Sequence, residues 1–210
     1  MLTLHKTHFA MKHKYLTLAA ALLCVVGCTS ESEENCSQNI SKDFLQMATE
    51  RYSVRKFDSK PVDQETIDKI LKAGQIAPTA VNAQPQMIYV VRSDEAMEKM
   101  NRLSTCIFGA PQCFIFCYDD KKAAKRGENG SWGEIDVSIV LTHMMLEAAN
   151  LGIGSCPVGM FDPIALKEEF QFPENIHPFL IMPFGYAAEE AAPSARHSEY
   201  RSMDEMVDYL

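Results

Sequence analysis

Several chemistries are absent from this sequence. Acidic residues outnumber Lys and Arg by 28 to 20, for a net charge of −8. That leaves no clustered basic face for DNA or RNA, and nucleic acid is not expected as a partner. No G-x-G-x-x-G follows a strand-like run, so a dinucleotide-binding parallel sheet has no support. Neither a Cys-x-x-Cys nor a His pair accompanies the cysteines, and no metal site is expected. The six histidines form no Ser-His-Asp or Cys-His arrangement. His5, His13 and His197 read as terminal or exposed, His143 as a residue of a core helix, and His177 as a loop residue before Pro178. No dedicated catalytic acid or base is expected, and no internal repeat is present.

The longest apolar run near the start, Leu16 to Val26, is shorter than the roughly 20 residues a membrane span requires. It follows the basic stretch Met11-Lys12-His13-Lys14 and precedes Gly27-Cys28, the order of a secretory signal. Val25-Val26-Gly27-Cys28 resembles a bacterial lipoprotein processing site. The competing readings are an ordinary signal cut nearby or a buried apolar helix. The expectation is a signal peptide over 1–27, lipidation at Cys28, an acidic polar tether over 28–39 and one domain over 40–210. The protein would then be an exported lipoprotein of the bacterial cell envelope, anchored to the membrane through Cys28. The run Glu31-Ser32-Glu33-Glu34 fits either a surface-export address or plain tether. With Cys24 removed and Cys28 modified, Cys36, Cys106, Cys113, Cys117 and Cys156 remain, an odd set that leaves at least one free thiol. Cys113 and Cys117 would share one face of a strand, most simply as small buried hydrophobes.

Within the domain, Phe44, Leu45 and Ala48 recur at helical spacing. Asp63 can cap a helix with the stripe Ile67, Ile70, Leu71 and Gly74, stopped by Pro78. Gln86 to Val91 reads as a strand, Asp94 to Leu103 as a helix and Cys113 to Tyr118 as a central strand. Asp119 to Gly130 reads as an exposed loop. Ile135 to Leu151 is apolar nearly all round and ends on Gly152, the pattern of the most buried helix with a glycine cap. Ser155 to Val158 reads as a short strand, Asp162-Pro163 as a helix start and Phe179 to Phe184 as the last strand. Ser202 to Glu205 fits a capping box before a final helix. This alternation by itself suggests a parallel doubly wound sheet.

Two segments carry more specific chemistry. Arg51-Tyr52-Ser53-Val54-Arg55 presents two guanidiniums and a hydroxyl at alternate positions, suited to a phosphate and a second electron-rich group. Alone it is a weak signal, because basic residues near a helix end are usually solvated. Ala77-Pro78-Thr79-Ala80-Val81-Asn82-Ala83-Gln84-Pro85 is a helix stop running through a polar loop into a strand. With the stretch from Trp132 to Gly159 and the strand closing on Gly185-Tyr186, these segments resemble, in order and spacing, the nitroreductase family of flavoenzymes.

The resemblance implies an α+β fold: a three-layer α/β/α sandwich with a mostly antiparallel sheet, built as an intertwined homodimer. It also implies FMN as cofactor and NAD(P)H as electron donor. Hydride would pass through flavin N5 to a small electron-poor acceptor such as a nitroaromatic or quinone. Arg51 and Ser53 would hold the FMN phosphate, Tyr52 would contribute backbone, and Arg55 would lie at the pyrimidine edge. Pro78, Thr79, Asn82 and Gln84 would come from the partner chain. Pro157, Val158 and Gly159 would pass beside the ring. A second phosphate cation would be Arg196 or Arg201, and Phe108 and Trp132 are candidates for substrate contact. The alternatives are a lipid-anchored flavin carrier without turnover, or a reductive dehalogenase or flavin-fragmenting branch of the fold.

Overall fold

The computed structural model describes residues 43–128 and 130–210. The expected signal peptide, Cys28, the tether and Cys36 lie outside the described residues. In chain order the elements are α1 (Phe44–Glu50), α2 (Gln64–Gln75), β1 (Gln86–Val91), α3 (Asp94–Leu103), β2 (Gln112–Asp119), β3 (Lys125–Arg126), β4 (Gly130–Ser131), α4 (Gly133–Asn150), β5 (Gly154–Ser155), α5 (Pro163–Glu169) and β6 (Ile176–Gly185).

Helices α2, α3 and α5 begin where short polar side chains accept from free amide groups. Asp63 accepts from Thr66 N–H at 3.0 Å, Ser93 from Ala96 at 3.3 Å, and Asp162 from Ile164 and Ala165 at 2.8 and 3.2 Å. α4 ends as its sequence predicts. Gly152 adopts φ +74°, its N–H donates to Ala149 O, and Ile153 N–H donates to Ala148 O at 2.8 Å, closing the last turn.

Strand order is β1-β2-β6-β5, and every ladder is antiparallel. The parallel sheet suggested by alternation is therefore corrected, whereas the α+β fold implied by the resemblance is the one observed. Successive β2 residues face opposite layers. Phe114 and Phe116, with Met182 and Phe184 of β6, pack among Ile67 and Ile70 of α2 and Val137, Val140 and Met144 of α4. Cys113, Ile115 and Cys117 pack the other way, with Ile181, Met97 and Met100 of α3 and Leu166 of α5. A sheet covered on both faces accounts for the unbroken apolar run in β2. α2 approaches α4 closely at Gly74, where a β-carbon would lie 2.6 Å from Met144 Sδ.

Other expectations change. The Asp119–Gly130 segment is not simply an exposed loop. Asp119 belongs to β2 and is buried, Ala123 is buried, and β3 pairs with β4. Asp119 Oδ1 folds the segment inward by accepting from Lys121 N–H at 3.0 Å and Asn175 Nδ2 at 2.8 Å. The strand expected over 155–158 is reduced to β5 plus a bridge at Val158, because Pro157 has no N–H for a ladder. The helix expected after Ser202 is one 3-10 turn, Met203–Glu205. α1 forms, yet Phe44 and Leu45 are 63% and 69% exposed.

Candidate functional site

After α1 the backbone extends at Arg51 and lies along the β5 edge. Ser53 bridges Ser155 in parallel, and Val54 N–H donates to Ser155 O at 3.0 Å. Val54 is buried in the domain, which leaves Arg51, Ser53 and Arg55 on the opposite side of an extended segment. All three bear on the ionisation of Cys156. Burial pushes its thiol pKa up, opposed by the Arg55 guanidinium, a hydrogen bond with the Ser53 side chain and the Arg51 guanidinium.

Neither guanidinium pairs with a carboxylate among the described residues. Arg55 Nη1 donates to Ser53 O at 3.2 Å, and its guanidinium carbon Cζ lies 6.0 Å from the Phe108 ring centroid. Phe108 holds φ +58° at the end of the Thr105–Ile107 turn. Ser104 Oγ ties this turn to Met160 O at 2.8 Å, so Phe108 and the Gly159-Met160 backbone are fixed together. Val158 is buried and paired with Ile181, while Gly159 is open, a β-carbon there meeting only Leu180 at 3.8 Å. Arg51 and Tyr52 also line a cavity of about 510 Å³ with Ala149, Asn150 and Gly152 at the C-terminal end of α4.

The second predicted segment lies elsewhere. After α2, Pro78 leads into a tight loop in which Gln84 N–H donates to Thr79 Oγ1 at 3.0 Å and Gln84 Nε2 to Asn82 Oδ1 at 3.2 Å. Val81, Asn82 and Gln84 have φ of +49°, +56° and +48°. Ala80 N–H donates to Asp136 Oδ1 at 2.8 Å in the first turn of α4. Trp132, just before α4, stands at the same end, with Arg126 over its ring at 5.1 Å. Asp136 and Ala149 are separated by about 20 Å of helix at 1.5 Å per residue. Within one chain, the Arg51–Arg55 cluster and the 78–84 loop therefore do not meet.

The tail turns back onto α1. His197 Nε2 lies 3.1 Å from Thr49 O, and its ring meets Tyr52 edge-on at 6.2 Å. His197 is thus half-buried, in contrast to the expectation of an exposed histidine. Arg196 faces Glu199 at 3.7 Å, and Arg201 is exposed; neither hydrogen-bonds to the Arg51–Arg55 segment among the described residues. Residues missed as site elements by sequence reasoning are Asp136, Cys156 and His197. Only Asp136 had a usable signal: it lies four and eight residues before Val140 and Met144, on the buried stripe of α4, where an acid requires a reason.

The sequence matches the profile of the nitroreductase family over residues 48–107 and 101–186. A Clostridium difficile 630 protein of known structure, described as a nitroreductase family protein, superposes with a TM-score of 0.74 at 35% identity, covering 80% of this chain and 98% of that one. A Methanothermobacter thermautotrophicus protein, provisionally named NADH dehydrogenase/NAD(P)H nitroreductase, is 33% identical over 154 residues, 70% of this chain and 78% of its own length. FMN reductase [NAD(P)H] of Bacillus subtilis is 27% identical over 195 residues, 80% of this chain and 78% of its own length.

Proposed function

This chain belongs to the nitroreductase family, and from that premise we propose that it catalyses reduction of small electron-poor acceptors, nitroaromatics or quinones, at a flavin site shared between two copies. It is an FMN-dependent NAD(P)H oxidoreductase. The observation that carries the site assignment is that Arg51, Ser53 and Arg55 share one side of the extended segment along β5, with neither guanidinium paired to a carboxylate among the described residues. Two guanidiniums with a hydroxyl between them fit a phosphate and an electron-rich ring edge.

FMN, when bound, supplies the hydride chemistry between nicotinamide and acceptor. The chain's own residues bind and orient. Arg51 and Ser53 would hold the phosphate, with Arg196 or Arg201 as the second cation. Arg55, anchored to Ser53 O, would offset negative charge at the pyrimidine edge. Pro157, Val158 and Gly159 would flank the ring, and the open surface at Gly159 leaves room for that approach. Pro78, Thr79, Asn82 and Gln84 would come from the second copy, a reading supported by their position at the far end of α4. Phe108, beside Arg55, and Trp132, beside the loop, would then approach one pocket from two chains. The exposed apolar residues of α1 and the tail, including Phe44, Leu45, Met206 and Val207, supply surface for such a dimer. The proposal includes export and lipid anchoring at Cys28.

The deciding experiment is the visible spectrum of the purified protein before and after anaerobic NADH or NADPH. A flavin band bleached by either donor and restored by a quinone or nitroaromatic supports the proposal. A flavin that stays oxidised overturns turnover and leaves a carrier, and no flavin after FMN addition overturns the site assignment. Lipid labelling lost in Cys28→Ala would support the anchor; unaltered labelling, or none in the unsubstituted protein, would overturn it.

A further inference from the structure

The 79–84 loop is strained, and a buried acid holds it. Three non-glycine residues, Val81, Asn82 and Gln84, occupy the left-handed region. That conformation is costly for any side chain with a β-carbon and most of all for a β-branched one. Strain of this kind persists only where surrounding contacts over-determine it, and it gathers at functional sites. Val81 is 89% exposed, so its own packing does not hold it there.

The contact from the scaffold is Asp136, which is 1% exposed. Its Oδ1 accepts from Ala80 N–H at 2.8 Å, and its Oδ2 is buried without a partner among the described residues. A buried carboxyl with one oxygen unpaired lowers stability relative to an apolar side chain of similar size. The helix N-terminus offsets part of this cost for a carboxylate, but a surface residue would obtain the same benefit without burial. Stability therefore does not account for an acid on the apolar stripe of Val140 and Met144. Its connection to the strained loop does.

We propose that Asp136 is a positioning residue: it sets the 79–84 backbone from the rigid α4 and so presents Thr79, Asn82 and Gln84 to the flavin of the partner copy. This rests on the flavin site proposed above. Asp136 acts through Ala80 and does not itself touch the cofactor. Because α4 is a core element of each copy, one hydrogen bond links the scaffold of one protomer to the cofactor pocket of the other.

The test compares Asp136→Asn and Asp136→Ala with the unsubstituted protein by three measurements. These are thermal unfolding without flavin, amide hydrogen exchange along the chain, and FMN affinity from fluorescence quenching. For Asp136→Asn, we expect an unfolding midpoint equal to or above the original. For Asp136→Ala, exchange should accelerate about tenfold within 79–84 while the amides of Val140 to Met144 keep their protection, and the FMN dissociation constant should rise about tenfold, the scale of one lost hydrogen bond. Unchanged loop exchange in Asp136→Ala would overturn the positioning role. A uniform loss of protection tracking a fallen midpoint would reduce Asp136 to a scaffold residue and also overturn it. Faster loop exchange with unaltered FMN affinity would overturn the link to the cofactor. Failure of the unsubstituted protein to bind FMN would count against the flavin site itself, and loop exchange would still decide whether Asp136 sets the loop.

Discussion

At the residue scale, what distinguishes the cluster is charge without a partner. Arg51 and Arg55 have no carboxylate to neutralise them among the described residues, and both act on the Cys156 thiol. Removing one charge-assisted hydrogen bond to an anion costs about 1.5–3 kcal/mol. Arg51→Ala should therefore weaken FMN binding by about tenfold to a hundredfold, and Ser53→Ala by a smaller factor, both measured by flavin quenching. A fully flavinated, yellow Arg51→Ala protein would remove Arg51 from the phosphate site. The cysteines divide by environment. Burial pushes the Cys113 thiol far up and that of Cys117 up to about 12. A raised pKa favours the neutral thiol at every pH below it, so both should resist thiol reagents at pH 8 while half-buried Cys106 reacts. Cys113→Ser, confined to the core, should lower stability by about 1–3 kcal/mol and leave FMN affinity intact. Rapid labelling of Cys117 in the folded protein would contradict the packing of β2.

Among the elements, α4 positions both segments of the proposed site. Its N-terminal turn holds the 79–84 loop through Asp136, and its C-terminal end forms one wall of the cavity beside Arg51. The closure at Gly152 sets where the helix stops and β5 begins. A side chain at Gly152 would meet nothing within 4 Å, so Gly152→Ala tests backbone conformation alone. It should lower stability by about 1–2 kcal/mol for the left-handed φ, with Gly152→Asn milder, as read from urea unfolding. Equal stability in all three proteins would mean that the cap is not held at this φ. The same scale explains which elements were legible beforehand. The α2, α4 and α5 boundaries follow from Asp63, Gly152 and Asp162-Pro163, because capping is local chemistry. The 155–158 and 202–209 segments were overestimated, because a short apolar pattern does not reveal whether a partner strand or core awaits it.

For the whole molecule, the separation of the cluster from the loop along about 20 Å of α4 leads to a prediction about assembly. If each flavin pocket takes Arg51 from one copy and Asn82 and Gln84 from the other, two defective proteins can repair each other. Arg51→Ala and Asn82→Ala/Gln84→Ala homodimers should each bind FMN weakly. Unfolded and refolded together in equal amounts, they should regain about a quarter of the original sites, since half of the dimers are mixed and one of their two pockets is intact. No recovery, or a monomer in sedimentation equilibrium, would overturn the shared site. The sequence by itself determined the caps at Asp63, Gly152 and Asp162-Pro163, the apolar central strand, the R-x-S-x-R cluster and the family resemblance, because each depends on neighbouring residues or a fixed spacing. Only the tertiary structure decided that the sheet is antiparallel, that Asp136 reaches Ala80, that Ser53 pairs with Ser155, and that the Arg51–Arg55 and 78–84 segments stand at opposite ends of one helix. These facts join residues distant in the chain, and their energies arise from burial and strand pairing that no local pattern encodes.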